Sequence, residues 1–112
     1  MGENAYTLSD GQKQKIAIAR AIIMKPKILI LDEAMSSMDS ASEERIIRGI
    51  KELLPESLVI IVSHRLSSVM ACDLAYYLKS PDKIVAGRPS RLLEEDPDFH
   101  ELFAAQIIQP QD

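Results

Sequence analysis

The chain is poor in several things that would otherwise define it. A single cysteine, Cys72, among 112 residues excludes an intramolecular disulfide and fits a reducing compartment; a small core residue is its ordinary role. No run of basic residues occurs and the net charge is −4, which argues against a general nucleic-acid binder. The longest aliphatic stretches, such as Leu58–Val62, are far too short to span a bilayer. Met1 is followed by polar residues, so no secretory leader is expected. There is no internal repeat and no low-complexity segment. What remains, 46% apolar and 27% charged, is the composition of an ordinary globular domain, long enough to bury a core.

Two segments organise the rest. The first is Leu8-Ser9-Asp10-Gly11-Gln12. Ser9 followed three residues later by Gln12 has the form of a capping box ahead of an apolar run, which predicts a helix over 10–24 with Ser9 as N-cap. A helix start presents unpaired backbone N–H groups and the positive end of the dipole, and so attracts phosphate. Gly11, lacking a Cβ, would let an anion come close. Lys13 and Lys15 oppose the dipole unless something negative is near. Two readings stand at this point: a phosphate-facing turn, or an ordinary capped helix with a solvated basic start.

The second segment, Ile28-Leu29-Ile30-Leu31-Asp32-Glu33, begins sixteen positions after Gln12 and is led in by Lys25-Pro26-Lys27. Four consecutive aliphatic residues suit a parallel strand buried on both faces. In open α/β sheets, ligands bind beyond the carboxyl ends of strands, where Asp32 and Glu33 would lie. One acid there can hold Mg²⁺, directly or through water, and a second can orient or deprotonate an attacking water.

Further along, residues 35–39 read as a loop, and Ser40 with Glu43 as a second capping box. Ile46, Ile47, Ile50, Leu53 and Leu54 then form one apolar helix face, and Pro55 ends the helix. Gly49 inside it costs about 1 kcal/mol against alanine, a sign of close packing or of simple tolerance. Leu58–Val62 is a second apolar strand that delivers Ser63 and His64. A short helix over 66–71, strands over 74–78 and 83–86 around a turn at 79–82, and helices over 91–95 (capped by Ser90) and 98–106 complete the prediction. His100 is expected at the surface, and residues 107–112 as a loose tail.

Together these motifs resemble the C-terminal half of the nucleotide-binding domain of ATP-binding-cassette (ABC) transporters. Residues 8–12 resemble the signature, with Ala17-Ile18-Ala19-Arg20-Ala21 continuing its helix. Ile28 to Glu33 resembles the Walker B strand, Ser36-Ser37-Met38-Asp39 the D-loop, and Val62-Ser63-His64-Arg65 the switch-histidine segment. The order and spacing are family-like over nearly the whole chain. The resemblance implies a partial P-loop NTPase (ABC ATPase) fold of α/β class, with parallel strands and flanking helices. It divides the chain into a signature loop and helix (1–24), a catalytic half-sheet (25–86), and C-terminal helices and tail (87–112). It implies ATP and Mg²⁺ as cofactors. Asp32 would hold Mg²⁺ through water, Glu33 would act as general base, and His64 would sense or position the γ-phosphate. Ser9, Asp10, Gly11 and Gln12 would face the ATP of an opposite subunit, and Asp39 would couple the two sites. Gly2-Glu3 is similar to the exporter branch, whose acid there faces the membrane-spanning partner. The implied partners are a P-loop-bearing N-terminal half, a second nucleotide-binding domain head to tail, and transmembrane domains near Glu3. No nucleic acid is implied. The implied place is the cytoplasmic face of the membrane.

The sequence departs from the family pattern twice. No Gly-x-x-x-x-Gly-Lys-[Ser/Thr] occurs, and none of Gly2, Gly11, Gly49 or Gly87 begins one. Nothing then cradles the β- and γ-phosphates, so the chain alone is expected to be inactive, with unpaired strand edges and exposed apolar surface. Asp10 stands where the family usually has glycine. A carboxylate about 4 Å from a phosphate charge, at an effective dielectric near 20, opposes binding by about 4 kcal/mol per unit charge as an upper figure. That mixture resembles one subunit of a heterodimeric exporter. Two other readings compete: a non-catalytic module that pairs with a complete cassette, and a DNA-maintenance ATPase head, for which the heptads and basic stripe are missing.

Overall fold

The computed structural model describes residues 7–108, which divide into two compact units between Ser63 and His64. Gly2 and Glu3, and residues 109–112 of the expected tail, lie outside the described residues.

The first unit is a helix followed by a β-α-β crossover. α1 spans Asp10–Ile23 with Ser9 as N-cap, and both halves of the capping box form: Gln12 N–H donates to Ser9 Oγ (3.1 Å), and Ser9 N–H donates to Gln12 Oε1 (2.9 Å). The helix stops at Lys25, whose φ of 49° is left-handed, and Pro26 then forbids continuation. β1 (Ile28–Asp32) and β2 (Leu58–Val62) pair in parallel, Ile28 opposite Leu58 through Asp32 opposite Val62. Ser57 Oγ donates to Pro26 O (2.6 Å) and anchors the start of the pair. α2 (Ser40–Leu53) makes the crossover that parallel pairing requires.

Three expectations change here. β1 is not buried on both faces. Leu29 and Leu31 point into the core, while Ile28 and Ile30 on the other face are 58% and 62% exposed, as are Leu58, Ile60 and Val62 to 41–57%. Among the described residues this sheet has only two strands, and the exposure of these side chains shows that face to be open. Second, the N-cap of α2 is Asp39 and not Ser40: its Oδ2 accepts from Ser42 N–H (3.1 Å) and its Oδ1 from the Ser42 hydroxyl (2.7 Å). A charged carboxylate with two acceptors outcompetes a neighbouring hydroxyl at the positive helix end. Third, the apolar face of α2 buries Ile47, Ile50 and Leu54 but leaves Leu53 exposed. Gly49 opens onto a groove of about 370 Å³ between α1 and α2, and a Cβ there would meet nothing. Tolerance, not close packing, explains that glycine.

The second unit begins with α3 (Leu66–Met70), followed by the antiparallel hairpin β3 (Ala75–Ser80) and β4 (Lys83–Gly87). The turn is tighter than the expected 79–82, because Ser80 pairs with Lys83 across an irregularity after Leu78. α4 (Pro89–Glu95) starts two residues earlier than expected, with Arg88 rather than Ser90 as N-cap; proline's fixed φ suits the first helical position. Asp96 ends α4 and caps α5 (Pro97–Leu102), accepting from the N–H groups of Asp98 (3.0 Å) and Phe99 (3.1 Å). The single helix expected over 98–106 is divided at Phe103, and α6 (Ala104–Ile108) follows. Phe99 and Phe103 are buried with Leu92, and Phe99 meets Tyr77 and Phe103 edge to face, ring centroids 5.8 and 5.2 Å apart. Such pairs add about 0.5–1.5 kcal/mol each beyond burial. His100 is exposed, as expected, and Cys72 is half-buried with its thiol donating to Ser68 O (3.4 Å).

Candidate functional site

The first unit brings the helix start and the carboxylate-bearing strand end into one body. At α1, Ser9, Asp10 and Gln12 are exposed. Gln12 N–H takes Ser9 Oγ and Lys13 N–H takes Ser9 O (3.0 Å). The helical amides without an intrahelical acceptor are therefore those of Asp10 and Gly11. The reason for Gly11 differs from the one expected. A Cβ there would lie 3.1 Å from Ser37 O, so the missing side chain admits the chain's own loop.

At the other end, Asp32 is exposed as the last residue of β1. Glu33 extends the ladder by donating its N–H to Val62 O (2.9 Å), so the tips of β1 and β2 lie side by side. Glu33 then adopts φ 54°, a left-handed conformation that costs a non-glycine residue about 1–3 kcal/mol. Strain of this kind concentrates where a side chain must be aimed. Here it turns the backbone out of the strand into the tight turns of residues 34–38, and Glu33 Oε2 is shielded from solvent. Among the described residues no group of three or more His, Cys, Asp or Glu side chains could form a metal cage. A single exposed carboxylate suits magnesium, which keeps several waters and takes other ligands from phosphate.

Asp39 closes the same loop. Its hydrogen bonds from Ser42 hold its carboxyl below the usual carboxylate range, and they commit both oxygens to capping α2. A residue that the sequence reading passed over, Gln14, ties this loop to α1: its Nε2 donates to Ser36 Oγ (3.1 Å) and its Oε1 accepts from Ser37 N–H (2.9 Å). A glutamine at an unremarkable helix position carries no pattern that would have flagged it.

His64 opens the second unit, two residues past Val62 in the chain. Its carbonyl accepts from Gln106 Nε2 (3.0 Å), while Gln106 Oε1 accepts from Leu66 N–H (2.7 Å). One amide on α6 thus clamps the backbone on both sides of Arg65, a role 40 residues distant in sequence and equally unflagged.

A bacterial Atm1-family ABC exporter with ATP bound superposes with a TM-score of 0.81 at 32% identity, over 91% of this chain and 18% of the exporter chain. The family model for ABC transporters matches residues 1–36. The chain belongs to the ABC transporter family. An export ATP-binding/permease protein of Rickettsia typhi is 44% identical over 96% of the chain, and ABC transporter B family member 6 of Dictyostelium discoideum is 38% identical over all of it. The chain spans about a fifth of the length of the curated relatives it matches, 19% for the first and 16% for the second. Its α/β fold, with the parallel pair β1-β2 and flanking helices, is that of the ABC exporter nucleotide-binding domain. No helix among the described residues is long and apolar enough to cross a membrane.

Proposed function

We propose that this chain supplies the signature turn, the Walker B strand and the switch histidine of an ATPase that drives an ABC exporter. The observation that carries the reading is the union, in one compact unit, of an exposed capped helix start at Ser9 with the adjacent strand tips bearing Asp32 and Glu33. Asp32 is assigned to Mg²⁺, which supplies charge neutralisation at the phosphates when bound. Glu33 is assigned the proton of the attacking water, aimed by its left-handed backbone, and His64 the γ-phosphate. Ser9, Asp10, Gly11 and Gln12 face the nucleotide of a second nucleotide-binding domain, with Asp39 between the two sites.

The β- and γ-phosphates need the backbone cradle and lysine of a P-loop, and the 112 residues contain no such motif. Hydrolysis is therefore a property of this chain joined to a P-loop-bearing segment, and the 112 residues alone are inactive. Transmembrane domains are the partner on the Glu3 side, which places the assembly at the cytoplasmic face of a membrane. Asp10 gives the signature an acid that repels a facing γ-phosphate, so the site this turn completes is the weaker of an asymmetric pair. In the complete transporter, Asp10→Gly should change ATP turnover by less than about threefold, whereas Glu33→Gln, which removes the base, should lower it by about 10²-fold or more. Equal losses from the two substitutions would contradict the asymmetric assignment.

A further inference from the structure

Two independent features join the start of α1 to the loop over residues 36–39. Gly11 leaves space for Ser37 O, with only 3.1 Å to where a Cβ would stand, and Met38 Cγ is 4.0 Å from that point. One turn further along, Gln14 offers both ends of its amide: Oε1 to the Ser37 N–H at 2.9 Å and Nε2 to Ser36 Oγ at 3.1 Å. A primary amide is the side chain that donates and accepts in one plane without carrying charge. It therefore grips a peptide N–H and a hydroxyl together and adds nothing to the field at the helix start. The gripped loop leads directly into Asp39, whose carboxylate is fixed on Ser42 at the start of α2. From Ser9 to Ser42, the signature turn, the loop and two helix starts are thus linked by side-chain hydrogen bonds.

We propose that Gln14 is a positioning residue that latches the 36–39 loop to α1, so that the signature turn and the Asp39 segment present themselves to nucleotide as one rigid piece. The inference rests on the function proposed above for its consequence, but the latch itself is a property of the 112-residue chain. It touches no substrate. It acts through Ser36 and Ser37.

The test has two arms. In the 112-residue chain, amide hydrogen exchange of Ser37 is followed by NMR in the parent, Gln14→Leu and Gln14→Glu. Leucine removes both hydrogen bonds and should speed Ser37 exchange about five- to tenfold, the worth of one intramolecular hydrogen bond. Glutamate keeps the acceptor and should hold Ser37 within about twofold of the parent. Lys13, whose amide is bonded within α1, should be unchanged. Should Gln14→Leu lose its dispersed spectrum, Ser36→Ala removes the Nε2 acceptor while leaving Gln14 in place, and should still raise Ser37 exchange by about twofold. A Ser37 amide indifferent to all three substitutions overturns the latch. In the second arm the chain is joined to a P-loop-bearing segment and its ATP turnover is measured. Gln14→Leu should lower kcat about tenfold at unchanged KM for ATP, with Gln14→Glu restoring it, because misplacing a positioned group costs rate rather than affinity. An unchanged kcat, or a loss that glutamate does not rescue, overturns the positioning role. A parent assembly with no turnover contradicts the proposed function, and the exchange arm then decides the latch by itself.

Discussion

At the scale of single residues, the two helical glycines make opposite predictions from the same substitution. Gly49 faces the groove between α1 and α2, so Gly49→Ala should gain the full helix-propensity difference, about 1 kcal/mol. Thermal unfolding should shift up by about 4–8 °C. Gly11→Ala has the same propensity gain but must push against the Ser37 carbonyl, in a residue whose N–H is held by Gln14. It should give no rise in melting temperature, and equal shifts for the two variants would contradict the packing described. Ser9 and Gln12 were legible in advance because a capping box is written in local sequence. The reason for Gly11 was not, since the atom it makes room for lies 26 positions away. Glu33 shows the same division: its chemistry could be read from Asp32-Glu33 after an apolar run, whereas its left-handed backbone is imposed by the turn that follows.

At the scale of elements, helix starts were located more reliably than they were assigned. Asp39 displaced Ser40 as an N-cap because capping is a competition among neighbours, whereas Arg88 stands in place of Ser90 without a side-chain cap because Pro89 opens the helix. The junction of α4 and α5 shows how much one cap can carry. Asp96 accepts from the Phe99 and Asp98 amides and pairs with Lys79 (3.1 Å), which also reaches Asp98 (3.3 Å). The Phe99 amide first, and then Lys79, hold the Asp96 carboxyl below its ordinary 3.8, and the Asp96 carboxylate holds Lys79 above its ordinary 10.5. For Asp96, the contribution to stability is complete above about pH 4 and disappears as pH falls through its lowered value. For Lys79, the contribution is complete below about pH 10 and disappears as pH rises through its raised value. Melting curves between pH 2 and 7 should therefore show an acid loss that Asp96→Asn reduces. An unaltered acid limb in that variant would place the responsible carboxylate elsewhere.

At the scale of the whole molecule, the sheet is the informative feature. The aliphatic run of β1 predicts a strand buried on both faces, and one face is buried by Leu29 and Leu31 as that requires. The other carries Ile28, Ile30, Leu58, Ile60 and Val62 in register at 41–62% exposure. A sequence gives the hydrophobicity of a strand but not which of its covers are present. An apolar face and two strand edges of this kind favour association. Replacing Ile30 and Ile60 with threonine should reduce the sedimentation-average mass of the chain toward monomer, with little loss of unfolding temperature; a mass unaffected by the exchange would mean that other surfaces drive association. The two edges of this sheet are where further strands would pair, and the central claim concerns what happens when a P-loop-bearing segment is supplied. The deciding measurement is MgATP turnover by this chain alone and by this chain joined to a P-loop-bearing segment, each with Glu33 and with Glu33→Gln. The prediction is turnover only in the joined protein with Glu33 intact; hydrolysis by the isolated chain, or by the joined protein carrying Glu33→Gln at the parent rate, would contradict it.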